Sequence, residues 1–121
     1  MRFAQDSADG NLIQAYRQGE IIVNEKTINR SVVITADEII DWTPQHFAAI
    51  TQEHLDRLAD YRPEIVILGT GRRQQFPPAH FPVGLQTQGI GVEVMNTDAA
   101  CRTFNVLLSE GRRVVAALIL E

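Results

Sequence analysis

The chain has little of what several functional classes require. Its 121 residues include a single cysteine, Cys101, so no disulfide can form within it. Lysine and arginine number 11 against 15 acidic residues, and the net charge of −4 disfavours an electrostatic nucleic-acid binder. The apolar run over residues 114–120 is far shorter than the roughly 20 residues that span a bilayer. We therefore expect a cytoplasmic domain in a reducing compartment, without membrane insertion and without a nucleic-acid partner.

The start of the chain is polar. It contains Asp6 and Asp9 and lacks the apolar run of a secretory signal. Apolar residues make up 45% of the whole chain, which is enough to build a core in a chain of this length. We expect a flexible N-terminus over residues 1–11 and a single domain over residues 12–121.

Short β-prone runs dominate the first third of the chain. They cover residues 12–16, 20–24, 31–35 and 39–42. Gln18-Gly19 between the first two runs is typical of a hairpin turn, and a second turn is predicted over residues 24–29. We predict that these runs form an N-terminal β-meander.

Helices and buried strands alternate in the rest of the chain. Strands are predicted over residues 64–69, 91–95 and 113–120, and helices over residues 44–50, 51–61, 82–88 and from Asn96 or Thr97 to Gly111. Helical crossovers between such strands imply parallel neighbours. We predict an α/β fold with a mixed, partly parallel central sheet, helices on both faces in three layers, and the β-meander at its N-terminus.

Polar residues follow two of the predicted strands. The candidate ligand-binding residues are Gly69, Thr70, Gly71, Arg72, Arg73, Thr97, Arg102 and Asn105. Ligands bind beyond the carboxyl ends of parallel strands, and backbone N–H groups, guanidinium groups and a helix N-terminus favour an anion. The sequence therefore predicts a ligand site here, while a tight glycine turn with solvated arginines explains the same residues.

No pattern identifies a catalytic residue, a metal site or a cofactor. Gln74 stands where a dinucleotide fingerprint needs glycine, and no phosphate-binding Gly-Lys-Ser or Gly-Lys-Thr is present. His46, His54 and His80 lack metal-ligand spacing. Cys101 lies near a helix start, where a reactive thiol is one interpretation and a small buried hydrophobe is the simpler one.

Acidic residues lie among three apolar residues in the first half of the chain. Asp37, Glu38 and Asp41 flank Ile39-Ile40-Trp42. A solvated turn explains the carboxylates, since acid–base work would need one of them buried. Trp42 is interpreted as packing in the core, with an interface anchor as the alternative.

Several stretches resemble one known family. They are Leu68-Gly69-Thr70-Gly71, residues 91–97, residues 100–107, Glu110-Gly111-Arg112 and residues 115–118. The family is a small α/β domain of unknown function, first described from a methanogenic archaeon and widespread in proteobacteria. A mitochondrial relative serves as assembly factor three of respiratory complex I. The resemblance covers about residues 12–120, although Asn96 and Phe104 stand where the family commonly has aspartate and tyrosine.

The resemblance implies a function as well as a fold. It implies a mixed sheet with helices on both faces and a non-enzymatic binding or assembly module with protein partners. The alternative is a domain or enzyme that binds a small molecule or anion through the loop 69–73 and the helix start 97–105.

Overall fold

A computed structural model describes residues 10–121 of the chain. Its strands are β1 (Ile13–Arg17), β2 (Glu20–Val23), β3 (Lys26–Ile28), β4 (Val32–Ile34), β5 (Ile39–Asp41), β6 (Ile65–Gly69), β7 (Gly91–Met95) and β8 (Val114–Leu118). Its α-helices are α1 (Gln52–Asp56), α2 (Val83–Gln86) and α3 (Thr97–Ser109), with 3₁₀ turns at Phe47–Ala49 and Arg57–Tyr61. Within residues 10–121, no helix has the length and apolar character to cross a bilayer.

The first three strands form an antiparallel sheet of their own. The predicted hairpin between β1 and β2 is confirmed, and Gly19 takes the left-handed backbone (φ +82°) that its turn needs. The turn predicted over residues 24–29 is too long, because Asn24 and Glu25 reverse the chain with positive φ at both positions. Strand β3 follows at once.

The second sheet has five strands in the order β5-β4-β8-β6-β7. Strand β6 pairs in parallel with both β7 and β8, as the crossovers predict, and β4 lies antiparallel to β5 and β8. The predicted meander is therefore divided between two sheets. The reason is burial: all three residues of β4 are buried, so this strand needs neighbours on both edges and cover on both faces.

The five-stranded sheet has a core on each face. Helix α3 and the three-stranded sheet cover one face, where Phe104 is fully buried. Helices α1 and α2 and the second 3₁₀ turn cover the other face around Leu55 and Leu85. The predicted three-layer α/β class is confirmed.

The helix predicted over residues 44–50 is wrong in extent. Only the 3₁₀ turn Phe47–Ala49 forms, because the Gln45 side chain donates to the carbonyls of Trp42 (2.8 Å) and Thr43 (3.3 Å) and holds a turn there. The helix predicted from Thr51 does start there. The Thr51 hydroxyl accepts from the His54 N–H, and His54 Nδ1 accepts from the Thr51 N–H at 2.9 Å.

The long helix α3 begins and ends at predicted residues. Asn96 is its N-cap, since its side chain accepts the Ala99 N–H at 2.8 Å, and Gly111 follows its end with φ +78°.

At the other end of the chain, Asn11 falls within the predicted flexible start. It is nevertheless buried, and its amide donates to the carbonyls of Thr35 and Glu38. Residues 1–9 lie outside the described residues.

Candidate functional site

The carboxyl ends of β6 and β7 meet the start of α3 at one edge of the sheet. The Thr70 N–H donates to the Met95 carbonyl and the Thr97 N–H donates to the Gly71 carbonyl, both at 2.9 Å. The fold therefore brings the Gly69-Thr70-Gly71 loop into direct contact with the helix start.

The hydroxyls of this loop are engaged by the fold itself. The buried Thr97 hydroxyl donates to the Ile119 carbonyl at 2.7 Å and accepts the Gly71 N–H at 2.8 Å. The Thr70 hydroxyl donates to the Arg73 carbonyl at 2.6 Å and accepts the Gln75 N–H at 3.1 Å. These bonds use the Thr70 and Thr97 hydroxyls and the Gly71 and Gln75 N–H groups within the fold.

Close packing explains the glycines. A β-carbon on Gly69 would lie 2.9 Å from Leu118 Cδ2 and 3.0 Å from Thr97 Oγ1, so a larger residue would displace these two side chains. Gly71 has φ +100°, a conformation that favours glycine. Both glycines thus serve the tight junction between strand and helix.

Arg102 and Asn105 project to other parts of the molecule. The Arg102 guanidinium pairs with the Asp98 carboxylate at 2.7 Å on the exposed side of α3. The Asn105 amide donates to the Ile13 carbonyl at 2.7 Å, and its oxygen accepts the Ile13 N–H at 3.0 Å. Asn105 therefore joins α3 to the three-stranded sheet.

Arg72 and Arg73 are the predicted ligand-binding residues that border a concave space. They line a cavity of about 330 Å³ together with Gln18, Gln75 and Glu121. The hypothesis that the loop 69–73 binds a ligand stays a prediction, and these two exposed guanidinium groups are its strongest support.

The Cys101 thiol is buried on the inner side of α3. Burial raises the pKa of Cys101 to about 12, and the negative charge of Asp98 adds to this effect while Arg102 opposes it. The thiol is therefore protonated at neutral pH, in agreement with its interpretation as a small buried hydrophobe.

A cavity that the sequence does not predict opens between the sheet and the helical segment after β5. It measures about 450 Å³, and its lining includes Asp41, Trp42, His54, Asp60 and Tyr61. The Trp42 and His54 rings meet edge to face with centroids 6.2 Å apart. The spacing of these residues in the sequence does not predict the cavity. The second 3₁₀ turn brings Asp60 and Tyr61 over strands that end some 20 residues earlier in the chain.

These features define a class of protein: a small three-layer α/β domain in which the loop after β6 is hydrogen-bonded to the start of α3. Among residues 10–121, no three histidine, cysteine or acidic side chains are grouped to hold a metal ion. The chain belongs to the family described as protein of unknown function (DUF498/DUF598), whose sequence model matches residues 13–119. The resemblance inferred from the sequence is thereby confirmed.

Proteins with sequences similar to this chain carry two kinds of name. The chain is 36% identical over 121 residues to the NADH dehydrogenase [ubiquinone] 1 alpha subcomplex assembly factor 3 of Xenopus tropicalis, covering 98% of this chain and 66% of that protein. The chain covers 59% of the length of the corresponding cattle protein. It is 30% identical over 106 residues to the "13 kDa major membrane protein" of Francisella tularensis, covering 86% of each.

A solved structure shares the fold closely. The crystal structure of a protein from Bordetella parapertussis matches with a TM-score of 0.88 and 38% sequence identity, covering 93% of this chain and 97% of that one.

Proposed function

We propose that this protein is a non-enzymatic binding module that acts in the assembly of a respiratory membrane complex. The observation that carries the proposal is the 36% identity, across nearly the whole chain, to a protein named as an assembly factor of NADH dehydrogenase. Protein partners follow from such a role. The internal hydrogen bonds of Thr70 and Thr97 support it, because they leave the predicted ligand loop committed to the fold.

An exposed apolar segment supports a role in protein binding. Phe76 is 71% exposed in the loop after β6 and precedes Pro77 and Pro78, and Val83 at the start of α2 is also exposed. Aromatic side chains such as that of Phe76 are enriched in the core of protein interfaces. Phe76 directly precedes Pro77, which restricts its backbone.

Quantitative affinity capture tests the assembly proposal. The tagged chain is purified from the organism that encodes it, and co-purifying proteins are compared with those from a strain that expresses the tag alone. We expect respiratory-complex subunits to be enriched, and to be reduced with Phe76→Ser. Equal recovery of those subunits from both strains would contradict the proposal.

An anion-binding domain is the second candidate function, since Arg72 and Arg73 border the 330 Å³ cavity. Thermal unfolding with and without phosphate, sulfate and small carboxylates tests it. A stabilisation that Arg72→Ala with Arg73→Ala removes would support this function, whereas no stabilisation by any anion would exclude it.

We also propose that the protein acts in the cytoplasm, as its composition suggests. The membrane-protein name of the Francisella relative makes attachment to a membrane surface the competing location. Fractionation of cells under low and high salt separates the two, because a cytoplasmic protein stays in the supernatant under both conditions.

A further inference from the structure

The 450 Å³ cavity beside Trp42 has the features of a binding site that the assembly proposal does not use. Strands β4 and β5 form one wall, and α1 with the second 3₁₀ turn forms the other. We call it the Trp42 groove. Its lining combines aromatic rings from Trp42, His54 and Tyr61 with carboxylates.

Trp42 brings an unpartnered donor to this groove. Its side chain is only 6% exposed, yet its indole N–H donates no hydrogen bond to any of residues 10–121. The indole nitrogen is not enclosed by protein either, because Ser31 Oγ alone is both enclosed and unpartnered among the described side chains. Trp42 is among the residues that line the groove. An indole N–H that is open to the groove can donate to an acceptor on a molecule that enters it and takes the place of water there.

The charges of the Trp42 groove favour a cation. Asp41, Glu53 and Asp60 contribute three carboxylates, and the guanidinium in the lining, Arg57, is paired with Glu53 at 2.7 Å. Asp60 has no ion pair within the described part of the chain, and Asp41 meets Arg30 only at 3.8 Å. The negative potential extends to Tyr61, whose pKa is raised by burial and by the charges of Glu38 and Asp60.

An acceptor and a cation occur together in a basic amino-acid residue. Its backbone carbonyl can accept the indole N–H while its side chain reaches the carboxylates. The Tyr61 ring, which also lines the groove, can add a cation–π attraction to a guanidinium or ammonium group that is partly desolvated. A free anion, by contrast, would meet Asp41 and Asp60 without a counter-charge.

We propose that the Trp42 groove binds an arginine or lysine residue presented by a peptide segment. The indole N–H donates to the carbonyl of that residue, and Asp41 and Asp60 receive its cationic side chain. The groove lies on β4, β5 and the 3₁₀ turn, away from the loop 69–73. This binding stands or falls independently of the assembly role.

The single tryptophan makes the test direct, because all indole fluorescence of the chain comes from Trp42. The full chain is titrated with the peptide acetyl-Gly-Arg-Gly-amide and with the same peptide carrying citrulline, which keeps the shape and removes the charge. n-Butylguanidine, a guanidinium with neither the carbonyl nor a second charge, is the third probe. We expect a saturable change with the arginine peptide and a Kd at least about tenfold weaker for the citrulline peptide and for n-butylguanidine.

Matched variants locate the site. Asp60→Asn is expected to weaken the binding of the arginine peptide about tenfold. Asp98→Asn, the same change on the exposed side of α3, is expected to leave the Kd of the peptide unchanged. Circular dichroism checks that both variants fold. The proposal is overturned by the absence of a saturable change, by equal binding of citrulline, or by equal losses in the two variants. Binding of n-butylguanidine as tight as that of the peptide would overturn the assignment to a peptide segment.

Discussion

The Thr97 hydroxyl joins three segments of the chain at one buried point. It holds the Gly71 N–H after β6 and the Ile119 carbonyl after β8, and it belongs to the first turn of α3. Thr97→Val keeps the shape and leaves both backbone groups buried without a partner. We expect the free energy of unfolding to fall by about 3 kcal/mol. Urea denaturation measures it, with the exposed Thr87→Val as the control that changes stability by less than about 0.5 kcal/mol.

Cys101 offers a second prediction for a single residue. Because burial and Asp98 hold its pKa near 12, the thiol is protonated in the native protein at pH 8. We expect reaction with a disulfide reagent such as Ellman's reagent to be slow in buffer and fast in denaturant. The chain has one cysteine, so the absorbance change reports this thiol alone. Rapid stoichiometric labelling of the folded chain would contradict its burial.

Helix α3 holds the three-stranded sheet through one amide. Asn105 makes two hydrogen bonds with the backbone of Ile13. Asn105→Ala should lower stability by about 1–2 kcal/mol and increase amide hydrogen exchange in β1–β3 more than in β6–β8. Arg102→Ala, on the exposed side of the same helix, removes only a surface ion pair and should be nearly neutral. Uniform loss of protection in both sheets would contradict this local role.

Glu64 ties the start of β6 to the start of β8. Its carboxylate accepts the Arg113 N–H at 2.9 Å, and this bond, with the charges of Arg112 and Arg113, lowers the pKa of Glu64. A lowered pKa stabilises the folded state above the unfolded pKa, and the effect is lost as pH falls through the folded one. The stability gap between wild type and Glu64→Gln should thus be widest above about pH 5 and shrink in acid. A gap that does not change with pH would contradict this.

The elements that sequence predicted well are those with strong local signals. Strand 65–69 is an apolar run ended by glycine, strand 91–95 alternates, and α3 has both a cap at Asn96 and a stop at Gly111. The division of the meander was not predictable, because strand pairing depends on contacts between β4 and β8, more than 80 residues apart. The Trp42 groove could not be predicted from the sequence for the same reason. Asp41 and Asp60 come together only through the path of the 3₁₀ turn.

At the scale of the whole molecule, the candidate residues divide between two tasks. Thr70, Thr97 and Asn105 hold the layers together, which is why their polar groups face the protein's own backbone. The surface that remains open to partners contains Phe76 and the Trp42 groove. The proposed assembly role depends on such exposed contacts.

Deletion of the gene in its own organism tests the proposed assembly role most directly. Native gel electrophoresis of the membranes, stained for NADH dehydrogenase activity, then shows the state of the complex. We predict loss of the full-size complex and accumulation of smaller intermediates, with recovery when wild type or Arg102→Ala is restored. A full-size complex in wild-type amounts in the deletion strain would contradict the proposed function.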